Sequence, residues 1–102
     1  MYGNHVVLKL RNRNSRTREE TIASFEDSLP RFQAMEDLHS KAYLYSPERG
    51  EIGGFYLWRT EAARRAHVES GSLEMMAERL GATLTVTPYE VPLLMERQLV
   101  AG

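Results

Sequence analysis

The chain of 102 residues is long enough for one domain with a modest hydrophobic core, which we expect to span residues 1–102. Its 13 basic and 14 acidic residues give a net charge of −1, so no overall charge favours nucleic acid or an anionic membrane as a partner. The sequence has no cysteine, which excludes disulfides, thiolate-bound zinc and thiol nucleophiles and is typical of a reducing cytoplasm.

No segment of the sequence is typical of a membrane or nucleic-acid contact. The first residues, Met1 to Val7, contain neither the basic region nor the apolar region of a signal peptide. No apolar run approaches the roughly 18 residues of a transmembrane helix. The arginine-rich run at 11–18 lacks interleaved aromatic residues on which bases would stack. We therefore expect a cytoplasmic protein with no membrane and no nucleic-acid partner, in which this run is a solvated loop.

The first two predicted elements are a strand and a helix. Apolar and polar side chains alternate over His5–Asn12, which indicates a strand. After the polar loop, Thr17 and Glu20 have the spacing of a capping box at the start of a helix. The helix is expected to be kinked or split at Pro30, which lacks a backbone donor. Its apolar stripe consists of Ile22, Phe25, Leu29 and Phe32.

An antiparallel hairpin is predicted next. Alternation over Asp37–Ser46 and the aromatic-rich run Ile52–Arg59 indicate two strands, joined by the turn sequence SPERGE. Gly53 and Gly54 lie near the start of the second of these strands. Glycine inside a strand either allows a ligand or helix to approach the sheet closely or marks a bulge or bend. Both alternatives stay open at this stage.

Two helical segments and a last strand complete the pattern. Thr60 is a typical N-cap for a helix that ends near Gly71. Ser72 is expected to cap a further helical segment, which Gly81 ends and whose apolar stripe is Leu73, Met76, Ala77 and Leu80. Alternating threonines and apolar residues over Ala82–Val91 indicate the last strand.

The resulting order, strand–helix–strand–strand–helix–strand, predicts an α+β, ferredoxin-like split βαβ fold with an antiparallel sheet. The face expected under the helices carries Val6, Leu8, Leu10, Leu38, Ala42, Leu44, Phe55, Leu57, Leu84 and Val86. The other face is expected to carry His5, Lys9, His39, Lys41, Tyr43, Tyr45, Tyr56, Trp58 and the threonines of the last strand. This second face is too aromatic to remain solvated. We therefore expect a homodimer, and we expect the apolar tail from Leu93 to Val100 to be covered as well.

The segment Glu51–Leu94 resembles the YdhR-like family of proposed monooxygenases, which belongs to the dimeric α+β barrel superfamily. The family pattern of Gly-Gly, an apolar residue, Tyr and Leu on the third strand is matched by Gly53, Gly54, Phe55, Tyr56 and Leu57. The chain departs from the family at 32–38, where FQAMEDL lacks the Pro-Gly that commonly precedes the second strand. The resemblance implies a dimer whose two sheets close into a barrel, with a pocket between helices and sheet in each protomer.

The function expected from this resemblance is cofactor-independent monooxygenation of a hydrophobic, aromatic or polyketide-like small molecule. The same superfamily also contains polyketide cyclases and heme-degrading oxygenases, so a cyclase or isomerase and a non-catalytic small-molecule binding protein are the alternatives. No cofactor is expected, because the sequence has no P-loop and no dinucleotide-binding glycine motif. No metal site is expected, because no histidine has a partner ligand at a firm metal spacing.

The candidate site residues fall into two groups. Side chains that could exchange protons are His67, His39 and Tyr56. The expected substrate-binding residues are Phe25, Phe32, Ala42, Tyr43, Gly54, Trp58, Met75 and Met76. For His67 a structural role near a helix end, a polar role at a pocket rim and heme ligation are all open. The aromatic residues of the sheet fill either the dimer interface or a site.

Overall fold

The structure, a computed structural model, describes residues 1–97. In chain order its elements are β1 (Tyr2–Leu10), α1 (Arg18–Gln33), β2 (Leu38–Ser46), β3 (Glu51–Trp58), α2 (Glu61–Glu69), α3 (Ser72–Leu80) and β4 (Ala82–Glu90). The four strands form one antiparallel sheet in the order β2-β3-β1-β4. This confirms the predicted α+β, ferredoxin-like fold. No helix within residues 1–97 is long and apolar enough to cross a membrane.

The start of α1 follows the capping box that the sequence predicts. The Glu20 amide donates to Thr17 Oγ1 at 3.1 Å, and the Thr17 amide donates to Glu20 Oε1 at 3.2 Å. These two bonds satisfy donors that a helix N-terminus leaves without partners. The helix is not split at Pro30, because α1 continues to Gln33. Pro30 is exposed and lies in the last turn of the helix. It therefore removes one backbone hydrogen bond close to the helix end, where the loss costs least.

The register of the sheet decides which side chains the helices cover. Val6 of β1 lies opposite Gly54 of β3, and Tyr56 of β3 lies opposite Lys41 of β2. Residues directly opposite each other point to the same face of a sheet, and alternate residues along a strand share that face. The helix-covered face therefore carries Asn4, Val6, Leu8, Leu10, Lys41, Tyr43, Tyr45, Ile52, Gly54, Tyr56, Trp58, Ala82, Leu84 and Val86.

The predicted faces were correct for β1, β4 and Leu38 of β2, which packs against the core, but wrong for the rest of β2 and for β3. Ala42, Leu44, Phe55 and Leu57 lie on the open face with His5, Val7, Lys9 and the threonines of β4. The aromatic residues Tyr43, Tyr56 and Trp58 lie under the helices instead. Because side chains alternate along a strand, an error of one residue in the assignment exchanges the two faces for every side chain. In β2 and β3, both sets of alternating side chains include apolar or aromatic residues. Hydrophobicity therefore does not indicate which set faces the helices.

Gly53 is required by a close approach of β1 to β3. A Cβ at Gly53 would overlap the Val6 carbonyl oxygen and lie 2.9 Å from the carbonyl carbon of that residue. A Cβ at Gly54 would lie 3.1 Å from the Ala42 carbonyl oxygen and 3.1 Å from Lys41 Cε. Glycine is therefore needed at both positions because neighbouring atoms leave little room for a Cβ. At Gly53 the atoms that exclude a side chain belong to the backbone of β1.

The hydrophobic core lies between the helices and the covered face of the sheet. One cluster is formed by Val6, Phe32, Tyr56, Trp58 and Leu73, and the other by Leu8, Leu10, Ile52, Ala77 and Ala82. α1 buries Thr21 and Phe32, of which Phe32 belongs to the first cluster, and α3 buries Leu73 and Ala77. Each helix thus uses one stripe to cover the sheet.

After β4 the chain crosses from one edge strand of the sheet towards the other. Val91 donates its amide to the Met1 carbonyl at 2.8 Å, and Glu96 Oε1 reaches His39 Nε2 of β2 at 3.1 Å. Leu93 is 86% exposed and Met95 is 81% exposed, so residues 1–97 of a single chain leave the apolar side chains of this segment uncovered. The remainder of the predicted apolar tail, residues 98–100, lies outside the described residues.

Candidate active site

A pocket of about 440 Å³ lies between α1, α3 and the covered face of the sheet; we call it the sheet pocket. Its walls are mainly apolar and aromatic, and a few polar and charged side chains reach into them. The lining residues include Phe25, Phe32, Lys41, Tyr43, Tyr56 and Met76. A largely apolar cavity of this size with a small number of polar groups is the usual form of a small-molecule site.

The Lys41 side chain is surrounded by aromatic rings. Its Nζ lies 3.6 Å from the ring centroid of Phe32, 4.0 Å from that of Tyr43 and 4.6 Å from that of Tyr56. Alternation along β2 places Lys41 and Tyr43 on the same face, and pairing with β3 brings Tyr56 beside them. The aromatic faces attract an ammonium group, but they also exclude the water that would solvate it.

Burial, and secondarily the positive charge of Arg31, lower the pKa of Lys41 to about 7. No carboxylate of residues 1–97 forms an ion pair with this amine. The neutral amine and the ammonium ion are therefore both populated near neutral pH. Such a group can accept a proton from a bound molecule and can then stabilise the anion that results.

Two tyrosines, Tyr43 and Tyr56, lie in the wall of the sheet pocket. Ser28 Oγ donates to the Phe25 carbonyl at 2.8 Å, so the Tyr43 hydroxyl is the donor in its 2.6 Å bond to Ser28 Oγ. This bond and the Phe25 ring, with centroids 4.8 Å apart, fix the Tyr43 side chain. Burial raises the pKa of Tyr56 well above its ordinary value. Tyr56 is therefore a hydrogen-bond donor in the pocket wall rather than a base.

His67 lies on the other side of the Phe32 ring, in a second and more open pocket of about 620 Å³, the side pocket. This pocket is lined by Arg31, Phe32, Met35, Glu36, Asp37, Trp58, Ala63, Ala66, His67, Ser70 and Ser72. The His67 ring packs against Tyr56 at 4.7 Å and Trp58 at 5.2 Å between centroids. Arg31 and Phe32 line both cavities, so these two side chains lie between them.

The His67 imidazole is uncharged at neutral pH. Burial lowers its pKa to about 4, and the positive charges of Lys41 and Arg31 act in the same direction. Its Nδ1 finds no hydrogen-bond partner among the described residues. A base this weak is poorly matched to proton abstraction near pH 7. The arrangement leaves His67 as a neutral polar group at the side pocket.

The structure brings together only part of the predicted site. Phe25, Phe32, Tyr43, Tyr56 and Met76 line the sheet pocket, and His67 and Trp58 line the side pocket. Gly54 lies beneath the Lys41 and Tyr56 side chains.

The remaining predicted residues lie outside both cavities. His39 is at a bulge of β2, paired with Glu96, and lines a shallow cavity of about 280 Å³ at the sheet edge. Ala42 is on the open face of the sheet, so its expected place in the pocket wall was wrong. Met75 is 70% exposed on α3, and it too lies outside the pocket.

Sequence reasoning missed Lys41, Arg31 and Asn4. Asn4 is fully buried beside Tyr56 in the sheet, and neither polar atom of its amide has a partner among residues 1–97. Buried polar groups are normally hydrogen-bonded, so this amide would stabilise a polar molecule that reaches it. The burial of Asn4 could have been predicted, because Asn4 belongs to the same set of alternating residues as Val6 and Leu8. No sequence pattern indicated Arg31, since it is an exposed residue of α1.

Residues 1–97 contain no group of three or more histidine, aspartate and glutamate side chains arranged to hold a metal ion.

The sequence matches no protein-family model and no curated protein sequence. Solved structures are similar over nearly the whole chain. A protein of unknown function from Nitrosomonas europaea, NE2512, has a TM-score of 0.66 and 23% identity, covering 99% of this chain and 95% of that one. SnoaB, a cofactor-independent oxygenase from Streptomyces nogalater, has a TM-score of 0.64 and 12% identity, with coverage of 94% and 97%.

A third similar structure is a dimeric ferredoxin-like protein from an uncultured marine organism. Its TM-score is 0.53 and its identity 12%, with coverage of 95% of this chain and 100% of that one. At these identities the likeness is one of fold. It agrees with the ferredoxin-like architecture described above.

The lowered pKa of His67 predicts how stability depends on pH. Between pH 6.5 and about 4 the unfolded chain binds a proton that the folded chain does not, so the free energy of unfolding falls as the pH drops through this window. The loss reaches up to about 3 kcal/mol at pH 4, and the contribution to the slope vanishes above pH 6.5. Urea unfolding at pH 7 and pH 4 measures it.

His67→Phe is the matched control, because it keeps an aromatic ring and removes the titration. Carboxylates such as Glu20, whose pKa is lowered by its bonds to Thr17, titrate in both proteins and cancel in the comparison. The wild type should lose more stability than the variant on acidification. An equal loss in both proteins, and in His67→Gln, would contradict the assignment.

Proposed function

We propose that the protein is a cofactor-independent monooxygenase that oxidises a hydrophobic, aromatic or polyketide-like small molecule in the sheet pocket. The observation that carries the proposal is the Lys41 amine, which has a pKa of about 7 and lies in an aromatic wall of an apolar cavity. The likeness in fold to a cofactor-independent oxygenase and the resemblance of Glu51–Leu94 to the YdhR-like family support the same reading.

The proposed reaction begins with proton transfer. The neutral Lys41 amine takes a proton from an acidic phenol or enol, and the ammonium formed stays beside the substrate anion. The anion then passes one electron to O₂, and the two radicals combine into a peroxide at a ring carbon, which the Lys41 ammonium protonates. The O–O bond then breaks, and the departing hydroxide takes the hydrogen of that ring carbon and leaves as water. A quinone remains, so one oxygen atom enters the product and the other becomes water. Tyr56 donates a hydrogen bond to the substrate, and the aromatic walls exclude solvent.

We also propose that the active form is a homodimer that buries the open face of the sheet. That face carries Val7, Ala42, Leu44 and Phe55, and Leu44 remains 37% exposed in the single chain. The exposed apolar side chains of Leu93 and Met95 lie in the segment that crosses between the sheet edges. A dimeric ferredoxin-like protein with the same fold supports a second copy of this chain as the occupant.

Replacement of Lys41 by methionine tests the chemistry. We expect kcat/KM to fall about a hundredfold or more, because the base is removed while an unbranched apolar side chain of similar length keeps the packing. The assay measures oxygen consumption with a panel of polycyclic phenols and aromatic 1,3-diketones, and ¹⁸O₂ incorporation by mass spectrometry. Lys9→Arg is the control, since it keeps the charge that lies 4.0 Å from Glu51.

Other outcomes of this assay identify the alternatives. Product formation without oxygen consumption would mean a cyclase or isomerase. Saturable binding without any turnover would mean a small-molecule binding protein. Unchanged oxygenation by Lys41→Met would remove the amine from the mechanism.

Replacement of Leu44 by glutamate tests the dimer. A carboxylate on the open face should give a folded monomer in light scattering at micromolar concentration, because it would be buried without a partner in the dimer. Ala23→Glu, on an exposed position of α1, is the control and should leave the dimer intact. A wild type that is monomeric at the same concentration would contradict the proposal. Tyr56→Glu is not suitable, because Tyr56 is 4% exposed under the helices.

A further inference from the structure

We propose that Lys41 is a covalent trapping site at which the ε-amine forms an imine with small aromatic aldehydes and ketones that enter the sheet pocket. The geometry behind this is an amine that lies 3.6 to 4.6 Å from three ring centroids, in the wall of a cavity large enough for a substituted ring. The inference goes beyond the proposed oxygenation and does not depend on it, since it requires only that a carbonyl compound enters the pocket.

The chain contains only two lysines, and their surroundings differ sharply. Lys9 is 63% exposed on the open face and lies 4.0 Å from Glu51, so it is a solvated, ion-paired ammonium. Lys41 has no carboxylate partner among residues 1–97 and lies between aromatic rings. All other basic side chains apart from the histidines are arginines, which do not form imines under ordinary conditions.

Imine formation requires the neutral amine, and the pocket supplies it. Desolvation and a neighbouring cation are the two ways in which proteins activate lysine towards carbonyls. Both act on Lys41, because burial and the Arg31 charge lower its pKa to about 7. An exposed lysine with a pKa near 10.4 is neutral in only about one molecule in a few thousand at pH 7. Lys41 is neutral in about half of the molecules.

The covalent step is balanced without any further reactant. The nitrogen lone pair attacks the carbonyl carbon, and the carbonyl π electrons move to the oxygen. Proton transfer from nitrogen to oxygen gives the carbinolamine. The hydroxyl then leaves as water with the second amine hydrogen, and a C=N bond remains. Tyr56, a neutral phenol in the same wall, can donate a hydrogen bond to the departing oxygen.

The charged and titratable groups around the pocket are mainly cationic, so they favour an uncharged or anionic ligand over a cationic one. They come from the loop before α1, α1, the sheet, α2 and α3. They are Arg16, Asp27, Arg31, Tyr43, Tyr56, His67, Glu74 and Arg79. His67 is neutral at pH 7 and adds no charge near Lys41.

Reductive trapping with benzaldehyde and cyanoborohydride at pH 7 tests the proposal. Intact-mass measurement counts the added benzyl groups, and peptide mapping locates them on Lys41, Lys9 or the Met1 amine. We expect Lys41 to be labelled roughly tenfold faster than Lys9 or more, because its neutral fraction is far larger. The Lys41/Lys9 ratio should fall towards one as the pH approaches 11.

Two matched variants and a denatured control keep the result interpretable. Lys9→Arg should keep the fast label, and Lys41→Arg should lose it while the Met1 amine still reacts. In concentrated urea the preference for Lys41 should disappear, because it depends on the folded pocket. A Lys41/Lys9 ratio near one in the native wild type, or label confined to Lys9 and the Met1 amine, would overturn the proposal. The readout is independent of turnover, so failure of the monooxygenase proposal would leave it unaffected.

Discussion

The close passage of β1 over Gly53 sets the arrangement on which the pocket depends. Only a residue without a Cβ allows the Val6 carbonyl to lie where it does, and the pairing that results places Val6 opposite Gly54. From that one register, alternation along the strands puts Tyr56 and Trp58 under the helices, and the next pairing puts Lys41 there as well. The chemistry of the covered face thus follows from a backbone contact between two strands.

That register places the Lys41 amine within an otherwise hydrophobic region under the helices. Phe32 of α1 packs against the ring of Tyr56 and against the Lys41 amine, with centroids 5.7 Å apart in the first contact. Burying a cation without a carboxylate partner is costly, and the cost appears as a pKa lowered to about 7. The same cluster keeps His67 neutral. Of the two basic groups, Lys41 is therefore the one suited to proton transfer near pH 7, while His67 is a polar contact.

Local sequence signals predicted the elements well, because capping and alternation act over a few residues. The Thr17 capping box and the glycine stop at Gly81 lie where the sequence predicts them. Faces were harder, since β2 and β3 carry apolar or aromatic side chains on both sides, and hydrophobicity cannot choose between them. The choice depends on pairing with β1, a contact between residues far apart in sequence. Lys41 was missed for this reason, and with it the centre of the candidate site.

A direct measurement of the Lys41 pKa tests the central claim of this account. Protein labelled with ¹³C-lysine gives signals from only two side chains, and Lys9→Arg assigns them. Following the ¹³Cε shifts from pH 5 to pH 12 should show Lys41 titrating near 7, far below the value of about 10.4 of a lysine in water. If the Lys41 signal titrates near 10.4 instead, the amine is solvated, the aromatic cage does not enclose it, and neither the proposed base nor the imine-forming site stands.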